Sequence, residues 1–372
     1  MKYYFIYSAG GGAGDWNGVK RVWNSCMPEE LKQNILLKFG DVFLNHAVPT
    51  SPCRPQRWSD ITNLREWLYE ATNDSYVLNK SNILLDSGSA KLVSFIAHNN
   101  PDISNSELIL EFDKILNQYG ILEKYINVIK ESNITSAVTF DIPNPFKIRS
   151  QNGNARINIL TENDSERLIE MSAKYANKIY SMLDKDTRDD VLYTIINGDW
   201  SKAEISHFLS LLQYTPINIA IGGLSGAKDN AFSEAISKLE EVGLKYKNIH
   251  FLGCGGLKKV KILKESNFYN NATSVDCSTP INRSIDGNVS GTSQSCYYSY
   301  QSQELIRINP NSKDRILNLH KTSENPLFSF NEMKEIIEKV LNHQNHNSST
   351  ITYDARARLL IHNSHVYKRF AQ

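Results

Sequence analysis

The feature that most constrains the fold is a repeat of short apolar runs, each ending in a polar residue or glycine and followed by a helix-like segment. The clearest run, Thr273–Asp276, is rich in β-branched residues and stops before small polar residues and Pro280. The other predicted strands are Tyr3–Ser8, Asn82–Asp86, Ile134–Asp141, Val191–Asn197, Ile217–Ile221 and Asn248–Gly253. Strands that alternate with helices without a polar linker favour one (β/α)8 TIM-type barrel over two domains.

Helical periodicity fills most of the intervals between these strands. The predicted helices are Met27–Phe39, Asp60–Ala71, Ser104–Tyr119, Asp164–Leu183, Ser201–Leu212, Asp229–Val242, Leu257–Ser266 and Asn331–Leu341. We expect one barrel over 1–345, with a divergent N-terminal segment, and a basic C-terminal extension over 346–372 that can form a helix. Gly10–Gly14 lacks the Gly-Lys-Ser/Thr ending of a phosphate-binding loop and is interpreted as a flexible barrel loop. Ser284–Ser302 is rich in Ser, Gly, Asn and Tyr and is interpreted as an ordered or mobile loop.

Composition and charge exclude several classes of protein. The 372 residues include no apolar run near the roughly 20 residues that cross a bilayer. A net charge of +1 does not by itself indicate a nucleic-acid-binding protein, although basic residues cluster within 258–264 and 356–369. The five cysteines are scattered and odd in number, which argues against a disulfide framework and favours a reducing cytoplasm.

Polar groups and glycines at the predicted strand ends indicate a site. Asp86, Asp141 and Asp276 each end a strand, Asn197 ends another, and Gly222–Gly226 follows a fifth. A lone aspartate at a strand end is usually a turn former, but a barrel gathers all of these ends at one mouth. Three carboxylates there repel one another, so we expect at least one to have a raised pKa and to carry a proton.

Six short blocks of sequence point to a family. They are DSG (Asp86–Gly88), TFD (Thr139–Asp141), IINGD (Ile195–Asp199), IGGLSG (Ile221–Gly226), HFLGCG (His250–Gly255) and VDCSTPINR (Val275–Arg283). In this order, over roughly residues 80–340, they resemble the tRNA-guanine transglycosylase superfamily. That resemblance implies a (β/α)8 pentosyltransferase that exchanges guanine for a 7-deazaguanine base in nucleic acid.

The resemblance also implies roles for individual residues. Asp276 matches the nucleophile, and Asp86 matches the general acid/base. Asp141 matches the carboxylate that reads the amino edge of the base. Asn197 stands where the family has a base-binding glutamine. The remaining base-binding candidates are Ser87, Gly222, Gly223 and Leu224.

Two departures from the family pattern affect what is expected. Ser89, Ala90 and Lys91 replace a Gly-Phe-Gln segment, so the aromatic platform for the base is missing at Ala90. The zinc motif near the C-terminus is also absent, since only Cys296 and His320 resemble its ligands. One cysteine and one histidine cannot complete a tetrahedral site, so we expect no zinc and no other cofactor.

These departures bear on the substrate polymer. One branch of the superfamily modifies tRNA and keeps the zinc motif and the platform, whereas another inserts 7-deazaguanines such as 7-cyano-7-deazaguanine (preQ0) into DNA. The absent zinc motif, the divergent N-terminus and the lack of an appended RNA-binding domain favour DNA as the partner. A small-molecule 7-deazaguanine base is the second substrate, and the expected location is the cytoplasm of a bacterium or a phage-infected cell.

Other interpretations stay open at this point. The chain can instead be a tRNA-guanine transglycosylase, a non-catalytic nucleic-acid-binding paralogue, or a barrel hydrolase that merely shares strand-end aspartates. Proteins of a DNA-modification system are candidate partners, and no membrane partner is expected. The candidates for contacts with nucleic-acid phosphates are Arg283, Lys258, Lys259 and Lys91.

Overall fold

The computed structural model describes residues 1–7, 13–39, 63–144, 161–284, 295–342 and 350–372. Eight parallel strands close into a barrel in sequence order, with helices between them, so the chain folds as the predicted (β/α)8 TIM-type barrel. The strands are β1 (Lys2–Tyr7), β2 (Asn34–Lys38), β3 (Asn82–Asp86), β4 (Ser136–Val138), β5 (Leu192–Asn197), β6 (Asn218–Gly222), β7 (Asn248–Phe251) and β8 (Thr273–Asp276).

The pairing register has the stagger of a TIM barrel. Tyr4 of β1 pairs with Asp276 of β8. We also traced the pairing register from Tyr4 in the other direction, strand by strand from β2 to β7. This path reaches β8 at the level of Phe268, which precedes the strand. Because 276 minus 268 is eight, the barrel has the shear of eight that is typical of this fold.

Sixteen helices are assigned within the described residues, and those around the barrel cover the strands. They are α1 (Ala13–Cys26), α2 (Glu29–Lys32), α3 (Leu64–Thr72), α4 (Ser75–Asn79), α5 (Ser89–Asn99), α6 (Asn105–Gln118), α7 (Ile121–Glu131), α8 (Glu162–Met182), α9 (Lys185–Val191), α10 (Lys202–Leu211), α11 (Asp229–Val242), α12 (Leu257–Lys264), α13 (Thr279–Asn282), α14 (Lys313–Lys321), α15 (Phe330–Asn342) and α16 (Thr350–Ala371). Capping boxes begin α6, α8 and α10, where Ser104, Thr161 and Ser201 bond the first turns. The caps Ser104 and Ser201 coincide with the predicted starts of α6 and α10, whereas α8 begins at Glu162, two residues before the predicted Asp164.

The prediction of one helix over Met27–Phe39 is wrong. Only the single turn α2 is helical, and β2 follows it as a barrel strand. Ile35, Leu36 and Leu37 are almost fully buried because the strand is covered on both faces. Such a continuous apolar run has no alternation, so periodicity alone does not distinguish it from a buried helix.

The residues expected as a basic tail form α16 over their described part, and this helix packs on α1, α15 and β1. Its contact with α1 is close, since a Cβ at Gly18 would lie 2.5 Å from the Tyr353 carbonyl oxygen. Its basic residues are used within the fold: Lys368 donates to the Glu30 carbonyl oxygen over 2.5 Å. The described part of the C-terminal segment is thus integrated into the barrel wall.

A smaller second core is formed by buried residues between Tyr297 and Leu359, and it includes part of α16. The antiparallel strands β9 (Cys296–Tyr298) and β10 (Leu305–Arg307) pack with α14 and α15. Of the loops named in the sequence analysis, Gly10–Gly12 and residues 285–294 lie outside the described residues. Among the helices that are described, none is long and apolar enough to cross a membrane.

Candidate active site at the barrel mouth

Asp276 ends β8 at the carboxyl end of the barrel and is only 4% exposed. The Gly253 backbone N–H donates to Asp276 Oδ1 over 2.7 Å, and His250 Nε2 lies 3.1 Å from the same oxygen. Within the described ranges, both hydrogen bonds to this carboxylate end on Oδ1. One carboxylate oxygen is therefore anchored, and Oδ2 is the oxygen suited to attack a substrate.

His250 comes from β7, where it pairs in register with Ser274 of β8. Its Nδ1 lies 2.9 Å from Ser274 Oγ, and the ring of Tyr4 meets it edge-on with centroids 5.4 Å apart. The imidazole is completely buried. His250 stands in the HFLGCG block without a predicted role, because the neighbour that it faces is known only from the register of β7 on β8.

Asp141 follows β4 and is 5% exposed. Burial, and then the nearby charge of Asp86 at the tip of β3, raise its pKa to about 7, and a hydrogen bond from Ser89 opposes this in part. The expectation that at least one carboxylate of the mouth has a raised pKa is therefore confirmed at Asp141. Asp86 and Asp141 form an adjacent pair of acids in which one proton is readily held.

The tips of β5 and β6 bring Asn197, Gly222 and Gly223 together beside this pair. A Cβ at Gly222 would lie 3.9 Å from Asp141 Oδ2. Gly223 has a φ of +77°, and a Cβ there would lie 2.1 Å from Asn197 Oδ1. Only glycine lets the backbone at 223 pass so close to Asn197, whereas a Cβ at Gly222 would press on the Ile195 side chain at 3.1 Å.

Leu224 and Lys259 stabilise the loop that follows β6. The Leu224 side chain is 1% exposed and covers Gly198, and its carbonyl oxygen accepts from Lys259 Nζ over 2.6 Å. Lys259 also donates to the Ser225 carbonyl oxygen over 2.6 Å and lies over the Phe232 ring. This placement contradicts the expectation that Lys259 contacts phosphate, because its ammonium is turned inward and already bound.

Ser87 reaches the acids indirectly. Its hydroxyl lies 2.8 Å from that of Ser89, and Ser89 hydrogen-bonds Asp141. Ser87 is buried, so the structure makes it a support for Ser89. Ser89 itself was named only as a departure from the family pattern, and the structure adds it to the site. Ala90 is exposed at the start of α5 and presents no ring.

The other basic candidates lie nearer the surface. Arg283 follows α13 and is exposed, and Lys91 is half-buried on α5. The Lys258 side chain is 82% exposed, with its ammonium 3.1 Å from Asp229 Oδ2. Lys38 pairs in register with Asp86 at the end of β2; it was missed because that strand was predicted as helix.

Asp86 and Asp276 lie at the same end of the closed barrel. β1 and β2 separate their strands in the order of the barrel, so the two carboxylates belong to different sides of one opening. A site of this form can attack a carbon with one carboxylate and move a proton with another.

Cys296 and His320 do not fit a zinc site. His320 is buried, with Nδ1 3.2 Å from the Tyr297 hydroxyl and Nε2 2.8 Å from the Phe328 carbonyl oxygen. Both ring nitrogens are thus bonded to protein groups. In the described part of the chain, no group of three His, Cys, Asp or Glu side chains is placed to hold a metal ion.

A scan of the chain against protein-family models finds no match, and a search among curated proteins finds none.

Proposed function

We propose that this chain is a DNA-guanine transglycosylase, a cytoplasmic pentosyltransferase that exchanges guanine in DNA for a 7-deazaguanine base through a covalent aspartyl–sugar intermediate. The observation that carries the proposal is the asymmetry of the three carboxylates at one barrel mouth. Asp276 has one oxygen anchored by two hydrogen bonds, whereas Asp141 and Asp86 form a pair in which burial and mutual charge favour a held proton.

In the first half of the reaction, Asp276 Oδ2 attacks C1′ of a deoxyguanosine unit that has left the base stack. The C1′–Oδ2 bond forms as the C1′–N9 bond breaks, and the electron pair of the broken bond goes to guanine. Asp86 supplies the proton that neutralises the departing base. The anchored Oδ1 supports this step because the attacking oxygen is held in one orientation.

In the second half, the 7-deazaguanine base occupies the place that guanine left. Asp86 takes back a proton from N9 of this base, N9 bonds to C1′, and the C1′–Oδ2 bond breaks with its electron pair returning to Asp276. Two displacements at one carbon give net retention of configuration, as in retaining glycosidases.

The acid pair, Asn197 and the glycine backbone of β6 give the pocket its preference for a guanine-like base. The N1–H and 2-amino groups of guanine are donors, so their binding favours ionised Asp141, which offers acceptors for both, and leaves the proton of the pair on Asp86. Gly222 and Gly223 allow the peptide groups to lie against the edge of the ring. 7-Deazaguanines share this edge, so one pocket serves both the leaving and the incoming base.

Two features favour DNA over tRNA as the polymer. Cys296 and His320 do not fit the zinc site that the tRNA-modifying branch keeps, and the exposed Ala90 replaces its aromatic platform. The target base must still leave its stack to reach the barrel mouth, which costs least in single strands or opened duplex.

The test is base exchange on DNA and tRNA of matched guanine content. Each polymer is incubated with enzyme and 7-cyano-7-deazaguanine, and then digested to nucleosides for mass spectrometry. We expect the deazaguanine nucleoside from DNA only. The same product from tRNA alone would assign the enzyme to the tRNA branch, and abasic product or free sugar would indicate a hydrolase.

A further inference from the structure

His250 uses both of its ring nitrogens inside the barrel. Nε2 lies 3.1 Å from Asp276 Oδ1, and Nδ1 lies 2.9 Å from Ser274 Oγ. All three side chains are at most 5% exposed. The histidine is thus held between the carboxylate assigned as nucleophile and a hydroxyl two residues earlier on the same strand.

The carboxylate of Asp276 assigns the tautomer of His250. The nucleophilic carboxylate offers only acceptors, so the hydrogen of a neutral imidazole lies on Nε2 and is donated to Asp276 Oδ1. Nδ1 then accepts from the Ser274 hydroxyl at 2.9 Å, a contact shorter than the 3.3 Å between that hydroxyl and the Ile249 carbonyl oxygen.

We propose that His250 is a positioning residue for the transglycosylation: Ser274 fixes its Nε2–H tautomer, and His250 holds Oδ1 of Asp276 so that Oδ2 faces the sugar. This inference rests on the proposed function. The contact also acts during turnover, since breakage of the C1′–Oδ2 bond returns negative charge to the carboxylate next to a fixed donor. Loss of His250 therefore slows release of the sugar more than its capture.

The first arm of the test is NMR of protein labelled with 15N-histidine. Wild-type protein is expected to give the Nε2–H pattern at His250, identified by its disappearance in His250→Phe. Asp276→Asn should shift the Nε2 signal, because the charged acceptor is lost, and Ser274→Ala should mix the two tautomers. An Nδ1–H pattern in wild type would overturn the inference.

The second arm separates the two half-reactions. In His250→Phe, steady-state exchange should fall about 10- to 100-fold, the scale of one charge-assisted hydrogen bond. The covalent intermediate should form in a burst and accumulate, which intact-protein mass spectrometry detects. His250→Gln keeps an amide donor and should recover part of the loss.

Ser136→Ala is the matched control for Ser274→Ala. Ser136 is also a buried strand serine inside the barrel, where it hydrogen-bonds Tyr4 and Tyr193 rather than the histidine. We expect Ser136→Ala to leave the histidine tautomer and the rates of both half-reactions unchanged. Equal slowing of both half-reactions in His250→Phe, with no recovery in His250→Gln, would overturn the positioning role.

The two arms also separate this inference from the function on which it rests. If wild-type enzyme exchanges no base, the proposed function fails, while the NMR arm still decides whether His250 donates to Asp276. If exchange occurs and His250→Phe leaves both half-reactions unchanged, only the positioning role fails.

Discussion

The two sides of the barrel mouth place their carboxylates in different environments. On the nucleophile side, formed by the tips of β7 and β8, Asp276 receives two hydrogen bonds on one oxygen. On the base side, formed by the tips of β3 to β6, Asp141 is buried beside a second acid, and its pKa rises to about 7. Identical functional groups thus become an anchored nucleophile on one side and a pair that holds one proton on the other, because their neighbours differ.

Replacement of Asp276 by Asn should give the largest effect, because the amide keeps the shape and loses the nucleophilic oxygen. We expect exchange to fall by about 10⁴-fold or more, and no sugar adduct should appear by intact-protein mass spectrometry. Exchange at the wild-type rate would show that Asp276 is not the nucleophile, and the two sides of the mouth would then not differ in this role.

Replacement of Asp86 by Asn tests whether the base side moves the proton. The loss of general acid/base catalysis should slow exchange by about 10²- to 10⁴-fold. The adduct at Asp276 should still be detectable when the leaving base is a guanine analogue that departs without protonation. Failure of such an analogue to restore adduct formation would argue against a proton role for Asp86.

Gly223→Ala tests how closely the base side is packed. The added Cβ would meet Asn197 Oδ1 at 2.1 Å at a φ of +77°, so we expect a loss of about 1–3 kcal/mol in unfolding free energy or displacement of Asn197. In either case KM for the base should rise. Gly243→Ala is the matched control, since its φ is +68° and a Cβ there meets nothing within 4 Å.

For that control we expect about 1 kcal/mol of destabilisation in urea unfolding and unchanged KM. If both variants show the same KM, close packing at Gly223 is not what shapes the pocket.

Asp141→Asn should give the smallest effect, seen as a change in pH dependence. The pair loses its proton as Asp141 titrates with a pKa of about 7, and Asp86 then has none to supply to guanine. We therefore expect kcat/KM of wild-type enzyme to fall by about tenfold between about pH 6 and pH 8. The Asn variant should lack this fall because its amide does not titrate. The same fall in both enzymes would assign it to another group.

The sequence predicted the barrel because seven of its strands are apolar runs closed by a polar or glycine tip. β2 was missed because Ile35–Leu37 is apolar without a break, and Lys38 was lost with it. Asp141 and Asn197 were found by their place at strand ends. The burial of Lys259 was not predictable, since its bonds to Leu224 and Ser225 join loops that are distant in sequence.

The hydrogen bonds of His250 could not be predicted either, because they also join segments that are distant in sequence. A histidine inside a strand gives no sign of which neighbour it faces until the register of β7 on β8 is known. Periodicity fixes which face of a strand a side chain occupies, whereas pairing across strands depends on the whole barrel.

The seam between α1 and α16 has a consequence for how the protein is made. Arg21 bonds Asp354 and Gly18 meets Tyr353, so one flank of the fold joins segments more than 300 residues apart. During synthesis on the ribosome, α1 has no partner on this flank until residues 350–371 have emerged. Early folding intermediates therefore leave this face of α1 uncovered, and closure of the seam is a late, non-local step.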